Sequence, residues 1–170
     1  SYFLKEFHLT DATFHVSNSA KHREFKIEDI NINLLGLLLD QRPGRDVFSY
    51  QKIDLSIGKS SGEMKKMALK HISFKDYSLT IDSLQIQRSK DTMIFYFADF
   101  STGINDLDIQ TEDSIFHLLV KSLDISYRDK SVRTQGVSFK PNISEAAMQA
   151  RYHFQHAQVS GTLGDLQMTG

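Results

Sequence analysis

Seven histidines are the residues best equipped for chemistry in this chain, and His8, His15 and His22 recur at an interval of seven. Neutral imidazole is a common zinc ligand, and a zinc site needs three or four such groups converging on one point. In an extended strand an odd interval sends side chains to opposite faces, so this regularity builds no shared site. His153 and His156 are three apart and share a face only if a helix continues through them. That pair has no evident third ligand, and no metal site is expected.

The segment Gly58-Lys59-Ser60-Ser61-Gly62 contains Gly-Lys-Ser, but it lacks the leading glycine of a phosphate-binding loop and no clear helix follows. It reads as a plain loop. Asp82, Asp106, Asp108, Asp124 and Asp165 fall in the polar phase of alternating stretches, where a solvated face accounts for them. The chain has no cysteine, hence no thiol nucleophile, thiolate ligand or disulfide. No catalytic or cofactor-binding residue is nominated, no cofactor is expected, and the chain is not read as an enzyme.

The elements that carry these residues are strands. A short pattern keeps returning: apolar residues on alternate positions, then a polar pair, then the alternation again. Leu9-Thr10-Asp11-Ala12, Ile27-Glu28-Asp29-Ile30, Tyr50-Gln51-Lys52-Ile53 and Ile81-Asp82-Ser83-Leu84 are copies. So are Ile104-Asn105-Asp106-Leu107, Val120-Lys121-Ser122-Leu123 and Leu163-Gly164-Asp165-Leu166. Period-two alternation marks a strand with one buried and one wet face. Apolar residues three apart stay on one face either through a β-bulge or through a two-residue hairpin loop. Near Thr10-Asp11 a tight turn is expected, and Leu34 to Asp40 either continues a strand or forms a helical turn.

One segment departs from the pattern. Ser144 is a good N-cap, and the Ala, Met, Gln and Arg that follow are strong helix formers, so one short helix is expected over 144–154. The expected fold is mainly β: a long twisted antiparallel sheet, open or curled into a groove or half-barrel. Residues 1–170 read as a single β-rich domain, a segment of a larger protein.

Composition bounds the partners. The net charge is −1 with both signs interspersed, so nucleic acid has no electrostatic footprint, and no apolar run is long enough for a membrane helix. Twelve Phe and six Tyr line the alternating phase, including consecutive Phe95, Tyr96 and Phe97. Without a basic groove they read as packing a sheet face, or lipid chains, rather than as nucleobase platforms. The candidate lipid-contacting residues are Ile30, Ile32, Leu34, Ile53, Leu55, Ile57, Leu79, Ile81, Leu84 and Ile86. Strand edges at the ends of such a sheet are expected to pair with neighbouring modules or with another copy.

The segment His8-Leu9-Thr10-Asp11-Ala12-Thr13-Phe14-His15-Val16, with the strand at 25–34, resembles AsmA-like bacterial envelope proteins, especially those of Bacteroidetes. So does the stretch from Gly136: Val137-Ser138-Phe139-Lys140-Pro141, a helix over 144–152, then a strand over 158–168. The resemblance implies a twisted antiparallel sheet curled into a groove with an apolar interior. It also implies tethering to the inner membrane by an N-terminal helix, projection into the periplasm, and phospholipid acyl chains passing along the groove in outer-membrane lipid homeostasis. This chain lacks the membrane helix, as an internal module would. The alternative is a non-catalytic structural or interaction β-sandwich of a cell-envelope or surface protein, with the same residues sealed inside.

Overall fold

The computed structural model describes residues 1–21, 23–42, 45–64, 69–89, 92–111, 116–152 and 159–170. They form one antiparallel 11-stranded sheet curled into a half-barrel. The strands are β1 (Tyr2–Asn18), β2 (Arg23–Arg42), β3 (Arg45–Ser49), β4 (Lys52–Met64), β5 (Leu69–Asp82) and β6 (Gln85–Ser89). They continue with β7 (Thr92–Tyr96), β8 (Asp99–Thr111), β9 (Phe116–Ser126), β10 (Ser131–Pro141) and β11 (Gly161–Thr169). A single 3₁₀ turn (Ser19–Lys21) follows β1, and a short helix, α1 (Glu145–Tyr152), precedes β11. Ser144 caps α1, its Oγ accepting from the Ala147 amide at 3.2 Å. The last two positions of the expected helix lie outside the described residues.

The topology is simpler than the strand count. β3 and β4 both pair with β2 in one continuous register, Leu38↔Ser49 to Arg42↔Arg45 and Arg23↔Met64 to Leu35↔Lys52. They are two halves of one strand interrupted at Tyr50 and Gln51. The pairs β5–β6 and β7–β8 are interrupted likewise, at Ser83-Leu84 and Phe97-Ala98, because β3 pairs with β6 and β6 with β7 just as β4 pairs with β5 and β5 with β8. The chain is therefore an up-and-down meander of long strands.

The polar pairs mark where those strands kink. Asp11, Asp29, Asp76, Asp106 and Gly136 have φ between 47° and 59° and stand at one level across the sheet. Gly36 (φ 62°) and Ser83 (φ 56°) belong to a second level, shared with Gln51 and Ala98. Left-handed backbone is cheap for glycine and tolerated by Asp, whose short side chain bonds locally. Asn31 ties the first level together: its Oδ1 accepts from the Asp11 amide at 3.1 Å and its Nδ2 donates to the Asp29 carbonyl at 3.0 Å. At the second level the ladder is bridged by Gln51 N donating to Leu35 O and Ser83 N to Gln51 O, at 2.9 and 2.8 Å.

Adjacent strands kink together, so cross-strand register survives while the facing phase shifts by one residue on every strand. Kinks of this kind bend strands and increase twist. This settles the alternatives against hairpins: the strands continue through the polar pairs, with bulge-like register irregularities where β1 meets β2 and β5 meets β8. The turn expected near Thr10-Asp11 is absent, since β1 runs unbroken through it. The loop expected at 58–62 is instead the interior of β4, and Leu34 to Asp40 continues β2.

Candidate functional site

The register divides the sheet into two chemically distinct faces. One row crosses it as Leu9, Ile32, Leu55, Leu79, Thr102, Ile125, Val132 and Met168, each the cross-strand partner of the next. The row beside it, one residue along, reads His8, Asn33, Asp54, Thr80, Ser101, Ser126, Ser131 and Thr169. Directly opposed residues point to the same side and successive residues to opposite sides. One face is thus an apolar wall and the other is polar.

The kinks keep the wall on one face. Phe74 and Tyr77 flank Asp76, and their ring centroids lie 6.0 Å apart. Phe97 and Phe100 do the same at the second level, at 5.6 Å. In an unbroken strand residues three apart would point away from each other.

All the nominated lipid-contacting residues lie in this wall. Leu34, Ile53 and Ile81 form one row with Phe7 and Phe100; Ile32, Leu55 and Leu79 form the next; Ile30 and Ile57 form a third with Ala12 and Tyr77. Ile86 stands beyond the second kink level, between Phe48 and Phe95, and Leu84 lies at the level itself, its carbonyl accepting from the Tyr50 amide at 2.8 Å. The sequence reading stopped too early, because the wall continues through Ile104, Leu107, Val120, Leu123 and Val137 to Leu163 and Leu166. The same three-residue spacing marked those positions.

The wall is not sealed. Every nominated residue is half-buried, and Val120, at 9% exposure, is the single apolar side chain among the described residues that counts as buried. An apolar sheet face in a globular domain is normally covered by a second layer. Here the described strands all belong to one sheet. The closed sandwich expected as the alternative needs a layer that this sheet does not contain. Ser60 sits deep in the wall between Ile27 and Phe74, 2% exposed, with its hydroxyl unpartnered. Burial on this face also pushes the Tyr50 phenol above its ordinary value.

No protein-family model, curated protein or solved structure matches this chain.

The polar face spends its charge internally. His8 pairs with Glu6 at 2.8 Å, His15 with Glu24 at 3.1 Å, His71 with Glu63 at 2.6 Å and His117 with Asp108 at 2.7 Å. The kink at Asp11 brings His8 and His15 to the same face despite their odd spacing, but each has its own carboxylate. His22, His153 and His156 lie outside the described residues. Among the described residues no group of three potential ligands gathers. An open hollow of about 460 Å³ on this face includes Ser78, Ser101, Asp124 and Arg133. Its Arg128 is engaged by Asp99 at 2.7 Å. Lys26 donates to Glu28 at 2.6 Å and holds that carboxyl below its usual value. No helix among the described residues is long and apolar enough to cross a membrane.

Proposed function

We propose that the apolar wall is a lipid-facing groove and that this chain is a β-groove module of the AsmA-like type, binding or guiding phospholipid acyl chains in the cell envelope, on the periplasmic side. The observation that supports this reading is a sheet face dominated by aliphatic and aromatic side chains, with no second layer over it among the described residues. Burying the exposed remainder of one such Leu or Ile, about a third of its surface at most, is worth roughly 0.5–1 kcal/mol. An acyl chain lying across several rows therefore gains several times that without any polar contact. The polar face, finished with ion pairs and hydroxyls, suits water on the other side of the same strands.

Native mass spectrometry with lipid extraction, on protein purified from bacteria without detergent, tests the reading. Co-purified phospholipid is expected in the wild type and its loss in Leu55→Asp and Ile81→Asp, with β content unchanged by circular dichroism. A lipid-free wild type with a cooperative fold and no dye-binding surface contradicts it, and points to an interaction module whose wall is covered by protein.

A further inference from the structure

Beyond the second kink level the sheet changes character, and one strand there has no neighbour on its outer side among the described residues. β7 pairs with β6 only, and it stands at the end of the strand order. Its sequence, Thr-Met-Ile-Phe-Tyr, is free of charge, and the next residue is Phe97. Met93 and Phe95 lie on the wall side, at 59% and 58% exposure, while Ile94 and Tyr96 lie on the side that is polar elsewhere, at 38% and 52%.

The two other edges are defended differently. β1 carries Lys5, Glu6 and Asp11, and β11 carries Gly161, Gly164 and Asp165. Charges and glycines blunt an edge against further strand pairing; an uncharged strand with apolar residues on both faces invites it. Immersion in lipid alone does not satisfy this edge, because each unpaired N–H or C=O costs several kcal/mol in hydrocarbon. A polypeptide strand satisfies it in either medium.

We propose that β7 pairs antiparallel with β7 of a second copy of this chain, about a two-fold axis perpendicular to the sheet. The strand is its own complement. It needs no opposing charge, and a symmetric pairing sets Met93, Phe95 and Phe97 against the same residues of the other copy. Ile94 and Tyr96 meet their counterparts on the opposite face. The free edge is also the right length. Pairing of β8 with β9 begins at Ser101, the Tyr127 amide donates to the Phe100 carbonyl and the Arg128 amide to Asp99 Oδ1, so the edge is open from Thr92 to about Phe97, enough for one five-residue strand of the same hairpin. The paired sheets would place both apolar walls on one side as a single surface.

The oligomeric state by native mass spectrometry and sedimentation tests this on the full chain. A species of twice the 19.4 kDa chain mass is expected for the wild type. The double variant Ile94→Lys/Tyr96→Lys should dissociate at least 100-fold more readily. Those two residues face away from the wall, so lipid co-purification should persist in that variant; the outcome for pairing is therefore independent of the lipid reading. Because the chain has no cysteine, the single variant Phe95→Cys, at the residue that faces itself across the two-fold axis, should give disulfide-linked dimers on oxidation, and Phe14→Cys on the β1 edge should not. A monomeric wild type, a dimer that survives the double lysine variant, or dimers cross-linked equally well through Phe14→Cys would overturn the proposal.

Discussion

The sheet is two different materials on either side of its second kink level. In the body, the row beside the wall is polar from His8 to Thr169. In the flap beyond Gly36 and Ser83, the equivalent rows run Phe3, Leu38, Ser49, Gln85, Tyr96 and Asp40, Val47, Gln87, Ile94. Strand geometry and register are common to both regions; what differs is the composition of the second phase. The body is finished against water on one side and open to apolar contact on the other. The outer strand of the flap, β7, is apolar on both. An amphipathic sheet can hold an apolar ligand as a monomer, whereas a strand apolar on both faces is completed only by another strand. The two regions therefore call for different partners.

The contrast is broken most severely in the body wall. Leu55→Asp places a carboxylate in the middle of an apolar row, beside Ile32 and Leu79, and should abolish lipid binding. Ser56→Asp, one residue along on the polar face, should leave it intact; both are read by extraction and mass spectrometry. Next in size is the one sealed apolar position. Val120→Ala should cost about 1–3 kcal/mol in urea unfolding, whereas Leu166→Ala, at a side chain 40% exposed, should cost less than half as much. The kinks come third. Asp106→Val forces a β-branched residue into left-handed backbone and should cost roughly 1–2 kcal/mol, while Asp106→Gly, which suits that backbone, should be nearly neutral. The smallest effect belongs to the polar face. Lys26→Met should let the Glu28 carboxyl rise toward its ordinary value, by carboxyl NMR titration, with lipid binding unaltered. The lowered value means that the contact acts above the usual carboxylate range and fades as pH falls through it.

Much of this was legible in the residues, and the failures have physical causes. The apolar-polar-polar-apolar pattern locates both kink levels, and Leu4-Lys5-Glu6-Phe7 is a further copy at the second one. What the pattern left open, a bulge or a hairpin, turns on chemistry that the two share: Asp and Gly favour left-handed backbone in either. The partner strand decides it, because β2 extends past Asp11 and pairs with β1 on both sides. The stretch at 58–62 was misread because Gly and Ser are loop residues in isolation. Here they make room, since a Cβ on Gly62 would come within 2.7 Å of the Phe25 ring. The histidine interval misled for a related reason: the kink at Asp11 inverts the phase between His8 and His15. That both phases of Met93 to Phe97 are apolar was legible in the consecutive Phe95, Tyr96 and Phe97; what alternation could not show is that no strand lies beyond them among the described residues.

The most direct test of the lipid-facing wall is a photo-cross-linking residue placed at Leu55 and, separately, at Ser56, in protein expressed in bacteria and purified without detergent. A phospholipid adduct at Leu55 and none at Ser56 is the predicted result. An unmodified Leu55 position, or equal adducts at both, would contradict a lipid-facing wall.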